Sequence, residues 1–302
     1  MQQSETNINT GCLGSSVTFA GLARNCEVNL TKNLRKIDAL RPYFNQIKIV
    51  FLENDSTDAT LQVIQSYAEA HSDVVFDSFI EKTLNVRPTE GKSRDRIERM
   101  CQYRNRLLGI VQGAGKTDYV IFIDWDIIDF DEQSIVAAIQ NAPEGWGGIC
   151  ADSRILIQHN QKQFYFALMR DYYAFLPKEL SYESIPRGYF NKYKGEWRAK
   201  WYEDLLSTMD YMECSSAFGG IGIYKRAAIE GCTYKTRSLG DDDYVCEHIY
   251  FNECVRNNGF KIYIARDLKT VCDVYRKNAK SYFFRKHIPL AYLWVRHFFL
   301  HK

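Results

Sequence analysis

Tyr119-Val120-Ile121-Phe122-Ile123-Asp124-Trp125-Asp126 decides how the rest of this chain is read. Five apolar residues rich in β-branched and aromatic types form its most strand-like run. The run breaks into two carboxylates one residue apart. Along an extended chain residues i and i+2 point the same way. Asp124 and Asp126 therefore make a candidate pair for a hard cation such as Mg²⁺ or Mn²⁺, which favours oxygen ligands and completes its shell with phosphates and water. Such a pair is common by chance, so its surroundings must supply the meaning.

Upstream of this run, strand and helix patterns alternate. Strands are expected over 17–22, 47–52 and 74–76, and helices over 29–40, 59–70 and 94–111. That alternation predicts an α/β fold with a mostly parallel central sheet and helices on both faces. Ligands bind such sheets outside the carboxyl ends of the strands. The segments at those ends, Ala23-Arg24-Asn25, Glu53-Asn54-Asp55-Ser56 and Asp124-Trp125-Asp126, are all polar. Residues 79–96 are charged, with Pro88 and Gly91, and read as a mobile loop or a plain solvated connection. Beyond Gly148 the pattern loosens into an antiparallel excursion, with strands over 149–156 and 163–169 and an aromatic, basic, irregular stretch over 172–202. A Gly-rich strand over 219–224, a helix over 245–258 ended by Gly259, and a strand over 261–265 follow.

The 302 residues carry 39 Lys and Arg against 37 Asp and Glu, a formal charge of +2 that lacks the basic excess of a general nucleic-acid binder. Nine cysteines, with no Cys-x-x-Cys pair, argue against zinc ribbons and redox motifs. They read as mostly buried, reduced thiols of a cytosol-like compartment. Residues 1–16 are polar and read as a disordered leader without signal-peptide character. No apolar run is long enough to span a membrane. The tail from 271 to 302 mixes basic and aromatic residues. It suits a helix lying on an anionic membrane surface, or one packed back over the domain.

Gly113-Ala114-Gly115-Lys116-Thr117 resembles the end of a phosphate-binding P-loop, but the pattern requires Gly at 110, which is Ile110. The segment also ends a helix instead of opening one, so it reads as a helix C-terminal turn. Between the second strand and its helix, Asp55, Ser56 and Asp58 are candidates to cap the helix. Glu53, at the strand end, is placed to accept from a base or ribose hydroxyl. Arg104 lies on an Arg-rich helix and reads equally as a phosphate partner or a surface charge. Gly219 and Gly220 allow close approach to an acceptor sugar, or simply a tight turn. Asp241 to Asp243 precede a helix start, and His248 reads as a metal or phosphate partner or as a structural residue.

Phe51-Leu52-Glu53-Asn54-Asp55-Ser56-x-Asp58-x-Thr60, followed by a strand ending in Asp124-x-Asp126, resembles the GT-A glycosyltransferases. Within them the chain is most similar to the capsule-type mannosyltransferase-like families of fungi, bacteria and large viruses. Arg24-Asn25-Cys26-Glu27, Arg104-Asn105, Phe218 to Tyr224 and Cys246-Glu247-His248 extend the resemblance over residues 17–270. Trp125 is bulkier than the residue usual between the two carboxylates.

The resemblance implies a GT-A domain over 17–270, with a nucleotide-sugar half (17–130) and a smaller antiparallel acceptor half (131–270). It implies a metal-dependent hexosyl- or pentosyltransferase that moves a sugar from a UDP- or GDP-linked donor to a glycan hydroxyl. Asp124 and Asp126 would hold Mn²⁺ or Mg²⁺. Leu22, Arg24, Asn25, Glu53, Asp55, Arg104, Asp124 and Trp125 would line the donor. Gly219, Gly220 and His248 would face the acceptor, and Glu247 and Asp243 are the catalytic candidates, Glu247 as base in an inverting transfer. A non-catalytic carbohydrate-binding or scaffold protein with the same fold is the alternative.

Overall fold

The computed structural model of the chain describes residues 13–81, 94–159, 162–166, 171–192, 208–240 and 243–276. Its first part runs β1 (Ser16–Ala23), α1 (Glu27–Leu40), β2 (Gln46–Asn54), α2 (Thr60–Ala70), β3 (Val74–Phe79), α3 (Arg94–Gly113) and β4 (Tyr119–Ile123). Then come β5 (Asp129–Phe130), α4 (Glu132–Gln140), β6 (Trp146–His159), β7 (Lys162–Phe166), β8 (Leu176–Pro177) and a helical turn α5 (Tyr189–Lys192). The last elements are β9 (Tyr211–Ser216), β10 (Ile221–Lys225), β11 (Ser238–Gly240), β12 (Asp243–Tyr244), α6 (Glu247–Asn257) and β13 (Lys261–Arg276).

One sheet crosses the molecule in the order β3-β2-β1-β4-β10-β6-β13-β9-β8. β3, β2, β1 and β4 pair in parallel, as do β6 and β13. β10 runs antiparallel between β4 and β6, and β9 is antiparallel to β13. The expected α/β architecture is therefore present, with a mostly parallel centre and antiparallel strands on the later side. The expected halves, 17–130 and 131–270, share this sheet. Its two faces are covered by separate cores. One holds the buried side of α1 with Trp125 and α4, and the other holds α3, α6 and the aromatic cluster of Phe122, Tyr224, Tyr234 and Phe251.

Helical stripes account for most of the packing. On α1 the buried residues are Leu30, Asn33, Leu34, Ile37 and Leu40, and on α3 Ile97, Cys101, Arg104, Leu107, Leu108 and Val111. Each stripe contains one polar residue, and both exceptions lead to the site described below. The Gly113 segment ends α3: Ala114 N–H donates to Ile110, and Lys48 Nζ caps the Ala114 carbonyl at 2.5 Å. The P-loop resemblance is thus a helix C-terminus. Gly259 closes α6 as expected, with its N–H on Arg256 and that of Phe260 on Val255.

Several expectations change. Leu13 N–H bonds Tyr43, and the Ser15 carbonyl accepts from Asn45, so the last residues of the expected leader are tied into the fold; residues 1–12 lie outside the described residues. β13 continues through Arg276 by way of bulges near Ala265 to Lys269, so strand replaces the first residues of the expected helical tail. Residues 277–302 and most of the expected 79–96 loop lie outside the described residues. α6 begins at Glu247, two residues later than expected, and Asp243 sits in a two-residue strand before it. Cys232 and Cys254 form a disulfide (Cα–Cα 5.6 Å), contrary to the reading of mostly reduced thiols for this pair; Cys26, Cys101, Cys150, Cys214 and Cys246 are buried free thiols. Among the described residues no helix is long and apolar enough to cross a membrane.

Candidate active site

β1 has β2 on one side and β4 on the other, and chain order reverses there. A crevice opens outside the strand ends at such a switch point. On its β1 and β2 side, Asn25 (φ 48°) and Asp55 (φ 49°) adopt the left-handed conformation that Asn and Asp tolerate best. The two turns are bonded together. Asn25 Oδ1 accepts from Thr57 N at 2.7 Å, and Ser56 Oγ accepts from Asn25 N at 3.1 Å. Asp58 accepts from the first amide of both helices, Glu27 N at 3.2 Å and Thr60 N at 3.0 Å. Burial opposes its charge, but hydrogen bonds from Thr60 and Glu27 hold its carboxyl below the ordinary value. The capping reading of this cluster is therefore fulfilled by Asp58.

Glu53 is buried, and both its oxygens are engaged, by Ser56 N at 2.9 Å and by Ser78 Oγ at 2.5 Å. Its evident work is to join the ends of β2 and β3. Asp55 accepts from Glu81 N at 3.0 Å and from Asn54 Nδ2 at 3.1 Å. Leu22 is half-buried, and Arg24 and Asn25 are exposed at the exit of β1.

On the β4 side the chain turns at once, with Ile127 N–H on the Asp124 carbonyl at 3.1 Å. Asp124 and Asp126 thus belong to a turn and not to an extended strand, which corrects the alternation argument. The polar exception on α1 explains the turn. Asn33 Nδ2 donates to the carbonyls of Trp125 and Ile127 at 3.2 and 3.0 Å, and Asn29 Nδ2 reaches that of Asp126 at 2.8 Å. Trp125 is fully buried and packs on Phe51 with ring centroids 4.8 Å apart. Gly21 makes room for it: a Cβ there would lie 2.6 Å from the indole nitrogen. Trp125 is therefore the anchor of the turn, and the expectation that it lines the donor is not met because its ring faces the core.

The polar exception on α3 explains the floor. Arg104 is buried, with Nε 3.0 Å from Glu247 Oε1 and Nη2 3.4 Å from Asp124 Oδ1. Its guanidinium lies 5.2 Å from the Phe218 ring and 5.8 Å from that of Tyr234. The surface-charge reading of Arg104 is thereby excluded. Enclosure pushes the Asp124 carboxyl up to about 7 although a third of its side chain meets solvent; Arg104 opposes this, and Asp126 and Asp171 reinforce it. Asp126 is also felt by the Cys26 thiol, raised to about 12 by burial against its Thr60 hydrogen bond, with Asp126 adding to the rise.

Gly219 (φ 68°) and Gly220 (φ 84°) make the tight turn that sequence left as one alternative. A Cβ on Gly219 would lie 2.1 Å from the Ala151 carbonyl oxygen, so the close approach is to the chain's own backbone. The Gly220 carbonyl accepts from Asp124 N at 2.9 Å, and Gly219 N donates to Asp171 Oδ2 at 3.1 Å. Asp171 is a site residue that sequence reasoning missed. It lies in a turn-rich stretch with no periodicity, and no local signal marks it.

His248 is buried and stacked on Phe218 at 3.9 Å, and neither ring nitrogen has a hydrogen-bond partner among the described residues. Burial first, and Arg104 second, hold it neutral well below the ordinary value. It is a core residue. Asp243 is buried, and Glu247 is brought to the Arg104 floor, with its Oε2 3.5 Å from Cys246 Sγ. The Tyr173 hydroxyl donates to the Tyr244 carbonyl; burial raises its phenol well above the ordinary value, and Cys246, Glu247 and Asp243 add to the rise.

Asp124 and Asp126 present oxygen donors only, the set that a hard divalent cation takes. Among the described residues no three His, Cys, Asp or Glu side chains converge on one point.

No family model matches the chain, and no curated protein matches its sequence. Among solved structures it is similar to a mannosyltransferase from Pyrobaculum calidifontis in complex with GDP-Man and Mn²⁺, at 14% identity over 85% of this chain and 56% of that one, TM-score 0.47. It is also similar to residues 1–349 of TarS from S. aureus in complex with UDP-GlcNAc, at 14% identity over 85% of this chain and 58% of that one, TM-score 0.44. A mycobacterial protein matches at 14% identity over 86% of this chain and 66% of its own, TM-score 0.44. The chain spans less than two thirds of the length of each of these three. Likenesses this distant concern the course of the chain and carry nothing about its chemistry.

Proposed function

We propose that this chain is a glycosyltransferase that moves a sugar from a UDP- or GDP-linked donor to a hydroxyl of a glycan acceptor. The observation that carries the reading is the Asp124–Ile127 turn, held by Asn33 at the switch-point crevice with Asp124 and Asp126 at its rim. In this reading Asp124 and Asp126 would hold Mn²⁺ or Mg²⁺, which would supply Lewis-acid stabilisation of the leaving diphosphate. The turns at the exposed Asn25 and the half-buried Asp55 flank the nucleoside. In an inverting transfer the acceptor oxygen bonds the anomeric carbon, the bond to the diphosphate breaks with its electron pair, and Glu247 takes the acceptor proton. Arg104 holds one oxygen of Glu247 and leaves Oε2, which among the described residues a weak thiol donor approaches, for that proton.

Calorimetry with UDP- and GDP-sugars, with and without Mn²⁺, tests the reading. Metal-dependent binding of one donor with slow release of free nucleotide is expected. Binding without any release would favour a non-catalytic carbohydrate-binding protein, and no binding in any combination would sink both.

A further inference from the structure

Arg104 makes two contacts of unequal strength. Its Nε is 3.0 Å from Glu247, whose side chain is 8% exposed, whereas its Nη2 is 3.4 Å from Asp124, which is 36% exposed. The guanidinium cannot leave easily. Phe218 and Tyr234 flank it, and the neighbouring Asn105 side chain is bonded to the Tyr234 backbone twice, at 2.7 and 2.8 Å. Cys232, two residues before Tyr234, is bonded to Cys254 of α6, the helix that carries Glu247. The loop, the helix and the guanidinium are thus fixed to one another. Asp124, on a turn at the solvent side, is the partner that can exchange.

We propose that Arg104 is a stand-in cation, neutralising Asp124 until a divalent ion takes that carboxylate, and then serving Glu247 alone. This rests on the metal-site reading above. In that role Arg104 is a positioning residue. It lets the solvent-side Asp124 and the buried Glu247 share one guanidinium before the ion arrives, and it competes with the ion for Asp124. A fixed positive charge a few ångströms from a metal site weakens cation binding strongly in a recessed environment. Removing that charge therefore tightens the bare ion while loosening the base.

The test is titration of Mn²⁺ alone, without donor, by calorimetry or by the loss of the free-ion spin-resonance signal. Arg104→Gln should bind Mn²⁺ about tenfold or more tightly than the wild type and turn over more slowly. The single change leaves Glu247 buried without its partner and risks unfolding. Arg104→Met combined with Glu247→Gln avoids that, and is set against Glu247→Gln alone; the double variant should again bind Mn²⁺ more tightly. Equal or weaker binding in the double variant overturns the stand-in role. A wild type that binds no Mn²⁺ with or without nucleotide, joined by variants that also bind none, overturns the metal site itself.

Discussion

Of the clusters that gather two carboxylates around one cation, those of Lys36 and Arg104 differ most in what surrounds the cation. Lys36 of α1 reaches Asp129 at 2.9 Å and Glu132 at 3.4 Å, and the Asp129 side chain is 54% exposed. Burial works against the Lys36 charge, but hydrogen bonds and attraction from Asp129 and Glu132 raise its pKa above the ordinary value. Arg104 also holds two carboxylates, but under aromatic rings and with Asp171 and Asp126 adding negative charge near Asp124. Water screens the first cluster and leaves little net energy in its pairs. The second is enclosed, so every charge in it is felt. An inventory of ion pairs would rank the clusters alike, whereas their surroundings make one a tie between α1 and α4 and the other a candidate reaction floor.

The largest expected effect lies at the enclosed cluster. Asp124→Asn and Asp126→Asn should each lower donor turnover about 10²- to 10³-fold, with melting temperatures close to the wild type. Steady-state nucleotide release and thermal melts measure the two quantities. Near-normal turnover in both variants would erase the distinction between the clusters.

A smaller effect sharpens it through pH. His248 is kept neutral in the folded chain, whereas the unfolded chain protonates it near its ordinary value of 6.5. The unfolded state therefore binds more protons as pH falls. The stability associated with the neutral ring is complete above pH 6.5 and is lost below it, by about 1.4 kcal/mol per pH unit. His248→Phe keeps a ring on Phe218 and removes the proton site. Its urea midpoint should fall less than that of the wild type between pH 7 and 5, and parallel curves would reject a buried neutral His248.

The smallest effect belongs to the open cluster. Lys36→Met should change stability by less than about 1 kcal/mol, as read from denaturant curves at low and high salt. A loss of about 3–5 kcal/mol, the scale of a broken buried pair, would mean that the two clusters are energetically alike.

The first half of the fold was legible because each element there shows its own period. Leu30, Leu34 and Ile37 line one side of α1, and Tyr119 to Ile123 form an uninterrupted apolar run. The later half was harder to read. β13 is broken by the charged Arg266 to Lys269 stretch at a bulge, and nothing local tells β10 to run antiparallel between β4 and β6. Residue types marked Asp124, Asp126, Arg104 and Glu247, but only the folded chain joins them. Trp125 was misplaced, and His248 was left between a ligand and a structural residue, because tertiary packing, not side-chain type, decides whether a ring faces the core. The Cys232–Cys254 bond was invisible because a separation of 22 residues carries no motif.

The ion pairs of Arg104 also impose an order on assembly. Asp124 is 20 residues away along the chain, whereas Glu247 is 143 away. During synthesis Arg104 can find its first partner as soon as β4 docks, but its second arrives only after most of the remaining chain has emerged. Closing so long a loop is slow compared with local pairing. The candidate reaction floor is therefore completed late, and a chain that stops short of α6 would carry Asp124 and Asp126 at its crevice without Glu247 beneath them.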